Sequence, residues 1–374
     1  MSVSDKNKTE CCGCNACAEI CPKHCIRMVK DAQGFIYPQI DSSVCVECGL
    51  CEKVCPFEIT NLSLRKPLKA YAAWNKNHQE HLGSSSGGAA YVFSSYILEK
   101  GGVVYGCTSD GIDVRHIRVE NHSELFKLQG SKYVQSDVRG LFKEVKNDLK
   151  TGKTVLFIGT PCQVAGLKNY IGHHNAHLYL VDLICHGVPS KQMLHDHIKH
   201  VAKGKKIQHI SFRKGTDYRF SIAADKFSYE VSLWETPYKD LYLKGFFEGM
   251  INRPSCYQCP FACSTRVSDI TIGDFWGLKH AECLPEEVKD GVSLLLPMTD
   301  KGTDLIQKVE NNLYIYERSV EEAINGNTQL RHPVIQGRRA RLFHLLYSLF
   351  SFDVVMNIVI ADHKAIWKLK QRSL

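Results

Sequence analysis

From residue 69 onward, apolar runs of four to seven residues alternate with stretches whose apolar positions recur every three or four residues. The runs at 69–75, 102–107, 115–120, 154–158, 179–184, 270–273 and 293–298 read as strands. The stretches at 89–99, 138–150 and 164–171, and a further one after Cys-His-Gly-Val-Pro at 185–189, read as helices. Strands separated by helices predict an α/β architecture. The segments 207–213 and 220–233 alternate like antiparallel strands, so the sheet should be mixed. Before residue 69 the pattern is different. Only 26–30 and 35–40 are strand-like, flanking the turn Asp-Ala-Gln-Gly and predicting a short hairpin. Near the end, an apolar run at 342–360 is broken by His344, Asp353 and Asn357, which predicts helices and excludes a spanning segment. The pattern thus divides the chain into 1–65, 66–325 and a helical tail, 326–374.

Charge sharpens that division. The net charge is +8, and residues 326–374 hold eight Lys/Arg against two Asp. Only +2 is left for the rest, so no basic stripe runs through the body and nucleic-acid binding is not expected. The basic tail has two readings: a helical cap docked on the body, or a peripheral contact with an anionic membrane face. The first residues, Met-Ser-Val-Ser-Asp-Lys-Asn-Lys-Thr-Glu, contain no apolar stretch, which favours a cytoplasmic protein, with the tail at most peripheral to the inner face of the membrane.

Cysteine changes the picture most. The chain has 17, and ten lie between Cys11 and Cys55. Such clustering in a long chain points to metal or redox chemistry in a reducing compartment. Cys11, Cys14, Cys17 and Cys21 follow C-x2-C-x2-C-x3-C with Pro22 next. Cys45, Cys48, Cys51 and Cys55 repeat the spacing 34 residues later, with Pro56 next. An iron–sulfur cube needs four thiolates; three come from the short loops and the fourth cysteine of each run serves the other cube. Cys11, Cys14, Cys17 and Cys55 are therefore assigned to one 4Fe-4S cluster, and Cys21, Cys45, Cys48 and Cys51 to a second. Zinc would not need the x3-C-P ending. Residues 10–60 resemble the bacterial two-cluster ferredoxins. Cys12 and Cys25 are left as small buried residues near the clusters.

Three segments of the body carry further chemistry. Ser84-Ser85-Ser86-Gly87-Gly88 precedes a helix and suits a phosphate, although such turns are often plain loops. Gly130-Ser131-Lys132-Tyr133-Val134-Gln135-Ser136 combines a cation, an aromatic ring and hydroxyls, which suits a flavin. Cys162 and Cys185 fall at the ends of strands, whose carboxyl ends converge in an α/β sheet. Cys256 and Cys259, with Cys263 close behind, lie on a loop able to close over them. Together they make either a third 4Fe-4S site or unrelated thiols plus a zinc knuckle. His195, His197 and His200 scatter over more than one helix face and read as surface residues. Cys107 and Cys283 read as plain cysteines, and Phe246, Phe247 and Trp276 as core or pocket wall.

The strings SSSGG, GSKYVQS, GTPCQVAGLK, DLICHGVPS and RPSCYQC…RVSDITIGDFWG together resemble the coenzyme F420 hydrogenase/dehydrogenase beta-subunit family across residues 69–325. The resemblance implies a flavoprotein, usually with FAD rather than FMN, beside a 4Fe-4S cluster. It makes Ser86, Gly87, Gly88, Ser131, Lys132 and Tyr133 flavin-binding candidates. Cys162, Cys185, Cys256 and Cys259 become cluster ligands, with Cys263 the rival fourth. Relatives with a fused ferredoxin domain reduce a chlorophyll intermediate, and many bacterial relatives accompany polysaccharide-biosynthesis genes.

The expected function is an iron–sulfur flavoprotein oxidoreductase. Electrons would pass from a ferredoxin-type donor through the clusters to a flavin, and leave as hydride to a small molecule or glycan intermediate. Lys132 would stabilise charge on the flavin, and His186 and Asp274 are candidates for proton delivery. Two rivals are an electron-transfer subunit with no substrate of its own and a zinc-bound interaction module.

Overall fold

The computed structural model describes residues 3, 6–57, 63–172, 174–279 and 286–372. Cys283 lies outside them, as do the side chains of Lys368, Lys370 and Arg372.

The N-terminal unit is built from local turns. α1 (Ala16–Ile20) and α2 (Leu50–Lys53) each follow a residue in the left-handed region, Asn15 and Gly49. Between them β1 (Ile26–Lys30) and β2 (Ile36–Ile40) form the expected hairpin, with Ile26 opposite Ile40. Asp31 shapes its turn by accepting from the amides of Gln33 and Phe35.

The body alternates strands and helices as the sequence pattern predicts. β3 (Ala70–Asn75) leads through α3 (His78–Leu82) into α4 (Ala89–Glu99). β4 (Val103–Asp110) and β5 (Asp113–Val119) are followed by α5 (Leu141–Lys150), β6 (Val155–Gly159), α6 (Pro161–Ile171), β7 (Leu178–Leu183) and α7 (Lys191–Ala202). β8 (Ile207–Ser211), β9 (Arg219–Ala224) and β10 (Phe227–Ser232) form a separate three-stranded antiparallel sheet. After α8 (Leu241–Phe247) come β11 (Ile270–Asp274), β12 (Ser293–Pro297), α9 (Asp300–Lys308), β13 (Leu313–Arg318) and α10 (Val320–Gly326). The tail is α11 (Arg338–Leu346), α12 (Phe352–Val359) and α13 (Ala361–Arg372).

The main sheet has eight strands in the order β13-β3-β12-β11-β7-β6-β4-β5. Its middle, β11, β7, β6 and β4, is parallel, and the outer pairs are antiparallel. Alternation along β6 shows why both faces are covered. Val155 and Phe157 point into a core with Phe142 and Leu167, from α5 and α6. Leu156 points the other way, to Phe93 of α4 and Leu305 of α9. The tail joins a third core, in which Phe343, Phe352 and Met356 pack against Leu194, Phe220 and Tyr242. Among the described residues no helix is long and apolar enough to cross a membrane.

That third core corrects the reading of His197. It is not a surface residue: only 1% of it is exposed. Its ring sits between Asp353 of α12 at 2.8 Å and Asp240, the N-cap of α8, at 3.0 Å. His195 is half-buried against the Ile112 carbonyl, and His200 alone is exposed. Asp353, which interrupts the apolar run of the tail, is thus the anchor of that run. Burial alone would lower the His197 pKa, but the Asp240 and Asp353 carboxylates overcome it and hold it up at about 9. A pKa raised on folding stabilises fully below the unfolded value of about 6.5 and stops doing so as pH rises through the folded value. The melting temperature should therefore fall between about pH 6.5 and pH 9. A melting curve that does not move across that interval would contradict the triad.

Candidate functional site

The carboxyl ends of the four parallel strands open into one cavity of about 310 Å³. Gly106 and Cys107 lie midway along β4, Ile158 and Gly159 end β6, Leu183 to His186 continue β7, and Ile272 to Asp274 end β11; all line it. This is where open α/β sheets bind ligands, because side chains and helix N-termini converge there without closing the core.

Two segments that are far apart in sequence meet across this cavity. The Ser131 amide donates to Ser85 Oγ at 2.8 Å, joining the Ser/Gly turn to the Gly-Ser-Lys-Tyr segment. Ser86 Oγ donates to the Val292 carbonyl at 2.9 Å. Gly87 does not line the cavity but seats the turn. A Cβ there would meet the Ala73 carbonyl oxygen at 2.2 Å and the Ser293 amide at 2.6 Å, both backbone atoms of the sheet. Ser86, Gly88, Ser131, Lys132 and Tyr133 all line the space.

The Lys132 amine donates to the carbonyls of Gln129 at 2.7 Å and Leu128 at 3.2 Å, and burial lowers its pKa. Tyr133 stacks on Phe246, with ring centroids 4.5 Å apart. Asp274 accepts from Arg213 Nη1 at 2.7 Å. His186 faces the same cavity, and burial depresses its pKa against the opposing field of Asp274. Phe246, Phe247 and Trp276 are cavity wall, as expected. Cys107 is more than a plain cysteine, since it lines the cavity too. Thr160 and Gln163, which belong to the GTPCQVAGLK string, also contribute, as does His116, which no sequence signal marked. Trp234 is exposed and leans edge-on against Tyr218.

One end of the cavity is a thiol. Cys185 lines it, and Cys185 is also one of four cysteines within electrostatic range of one another. Cys256 faces Cys185, Cys259 and Cys162; Cys185 faces Cys162 and Cys259; Cys259 faces Cys162. Every pair in the set is therefore in electrostatic contact. Cys263, the rival fourth ligand, is not among the thiols in these contacts. Its S–H donates to the carbonyl of Thr265 at 3.1 Å, inside its own loop.

The N-terminal thiols gather close together, with Cys17 also in electrostatic range of Cys51. Cys17 faces Cys11 and Cys55; Cys14 faces Cys17 and Cys55; Cys55 faces Cys11. On the other side Cys51 faces Cys48, and Cys21 and Cys25, which precede β1, lie 3.3 Å apart beside Cys45. Gly166 of α6 lets the helix approach Cys14, since a Cβ there would stand 3.0 Å from its sulfur. Cys12 lies between the groups, close enough to interact with both Cys14 and Cys162.

These donors fit 4Fe-4S clusters. Burial above all, helped by the neighbouring thiols, pushes Cys17, Cys185 and Cys259 up to about 12. Left to themselves such thiols stay protonated; a bound metal centre removes the penalty by deprotonating them outright. Among the described residues no three Cys, His, Asp or Glu side chains are arranged to grip a single ion. A cube is held from further out, because each thiolate binds its own iron.

Comparison with known proteins is consistent with this layout. Residues 10–59 match the 4Fe-4S dicluster domain, and residues 152–323 match the family described as the C terminus of the coenzyme F420 hydrogenase/dehydrogenase beta subunit. The chain is 35% identical over 76 residues to NADH-quinone oxidoreductase subunit I of Pelobacter propionicus, covering 18% of this chain and 40% of that protein. It is 44% identical over 41 residues to a 7Fe ferredoxin of Hydrogenibacillus schlegelii, covering 11% and 46%. An uncharacterized ferredoxin of Methanocaldococcus jannaschii is 31% identical over 70 residues, which cover 19% of this chain and 90% of that one. The chain thus spans less than half the length of the first two. A chain of the F420-reducing [NiFe] hydrogenase complex from Methanosarcina barkeri aligns with a TM-score of 0.46 at 16% identity, over 71% of this chain and 91% of that chain.

Proposed function

The chain belongs to the coenzyme F420 hydrogenase/dehydrogenase beta-subunit family and carries a fused 4Fe-4S dicluster domain, and from that premise we propose that it passes single electrons from a ferredoxin-type donor to a flavin, which reduces a small organic acceptor. That it is an iron–sulfur electron-transfer protein of the oxidoreductase class follows from the family itself. The observation that carries the finer reading is Cys185, which belongs to the four-thiol set and walls the cavity. An electron held by that set needs no further carrier to reach whatever fills the cavity.

The bound groups would supply one-electron conduction at the cubes and conversion to two-electron chemistry at the flavin. The residues divide the remaining work. Cys11, Cys14, Cys17 and Cys55 would hold one cube; Cys21, Cys45, Cys48 and Cys51 the outer one; Cys162, Cys185, Cys256 and Cys259 the inner one. Cys48 is exposed and is flanked by the exposed side chains of Val44, Val46 and Leu50. That rim suits a docking donor, so electrons would enter there. The Ser84–Gly88 turn would hold the flavin phosphates, because it precedes α4 with amides free of side-chain caps. Lys132 would place a cation beside the ring. His186, neutral at neutral pH because its pKa is lowered, would hold a proton position near Asp274.

Anaerobic purification with iron, sulfide and flavin counting tests the reading. The expected protein is brown, carries about twelve irons in three cubes, and releases FAD on denaturation. About eight irons with no released chromophore would leave only an electron-carrying N-terminal unit and refute the flavin reading.

A further inference from the structure

Arg253 is wholly buried at the junction between the N-terminal unit and the body. A buried guanidinium is costly to keep unless anions face it. Among the described residues no carboxylate is within ion-pair distance of it. Its Nε donates to the Cys11 carbonyl at 2.6 Å and its Nη2 to the Ile36 carbonyl at 2.7 Å. Nη1 donates to Gln135 Oε1 at 3.1 Å, and Gln135 in turn donates to the Cys12 carbonyl at 2.9 Å. The guanidinium stacks over Tyr37, 4.4 Å from the ring centroid. None of these partners is charged. Besides the Tyr37 phenol, the acidic groups around it are sulfurs: Nη2 lies 3.7 Å from Cys11 Sγ, and Cys12, Cys162 and Cys256 are within electrostatic range. Gly13 makes room for it, since a Cβ there would stand 2.9 Å from Nη1.

We propose that Arg253 is the shared counter-ion of two clusters, the one held by the Cys11 group and the one held by the Cys162 group, and that it raises the reduction potential of both. The inference rests on the cluster assignments given above. A cube with four thiolates is a net anion, and reduction adds one more electron to it. A fixed cation beside it therefore favours the reduced state, strongly where little solvent screens the pair. An N–H donor on a ligand sulfur acts in the same direction. Arg253 does both for the Cys11 group and acts through space on the Cys162 group. The outer group, around Cys48, is not among the thiols that face it.

The test is an EPR-monitored redox titration of the full-length, cluster-loaded protein, with iron counted on each sample. Arg253→Met should lower both junction potentials. The expected drop is about tenfold in the reduced-to-oxidised ratio at fixed potential, which for one electron is about 59 mV. The outer cluster should not move. Arg253→Lys keeps the charge and should restore most of the shift, even with a lower melting temperature. Unchanged potentials in a fully loaded Met variant would overturn the proposal. So would an equal drop in the Lys variant, which would make hydrogen-bond geometry the cause. If Met fails to assemble, the Lys result decides alone; if both fail, Arg253 is a docking residue and the proposal falls. Wild-type protein without the two junction clusters would instead refute the cluster assignments.

Discussion

Cys256→Ala should carry about eight irons per chain where the parent carries about twelve, and should no longer reduce the occupant of the cavity. Cys256 faces every other thiol of the inner set, so its loss removes a corner that no neighbour replaces. Cys263 is nearby in sequence, but its sulfur is turned into its own loop, donating to the Thr265 and Pro260 carbonyls. Cys263→Ala should therefore keep the full iron content. The N-terminal clusters of Cys256→Ala should still accept electrons from dithionite at the parent rate, because their ligands are elsewhere. Iron analysis of the two variants side by side checks this. The reverse outcome, with iron lost from Cys263→Ala and kept in Cys256→Ala, would move the fourth corner of the inner set.

Gly87→Ala should lose the flavin and destabilise the chain by about 1–3 kcal/mol. The added carbon would lie 2.2 Å from the Ala73 carbonyl oxygen, a sheet backbone atom that cannot swing aside. The turn must lift instead, and with it goes the bond from the Asn75 amide to the Gly87 carbonyl, 2.7 Å in the parent. Lifting also separates Ser85 from the Ser131 amide, opening the seam on which both cavity segments depend. Gly101→Ala, which lies outside the cavity, is the matched control. Its φ is positive, 73°, but a Cβ there meets nothing within 4 Å. Strain alone should cost it about 1 kcal/mol and leave flavin binding nearly intact. Absorbance of the purified variants and urea melts separate the two. Equal flavin retention in both would show that contact with the sheet does not seat the turn.

The contrast between local and distant information explains what the sequence disclosed. The N-terminal cysteine runs were legible because each loop of two or three residues places its own thiolates. The strands and helices were legible because their apolar periods are local, and the strand-end positions of Cys162 and Cys185 followed from them. The junction was not legible. Arg253 reaches Cys11 across 242 residues, and nothing in either neighbourhood announces the other. His197 failed for the same reason. Its helix face looked polar, and the carboxylate that buries it lies 156 residues away in the tail. Polar residues that are satisfied only by remote partners resemble surface residues until the chain is folded.

The graded exposure of the thiols has one more consequence. Cys48 is open to solvent, whereas no thiol proposed for the other two clusters is exposed. On that assignment, air should corrode the protein from the rim inward. The outer cube will shed iron first, severing the point of entry while the interior stays intact, so a sample weathered on the bench will keep much of its colour after it has stopped taking up electrons.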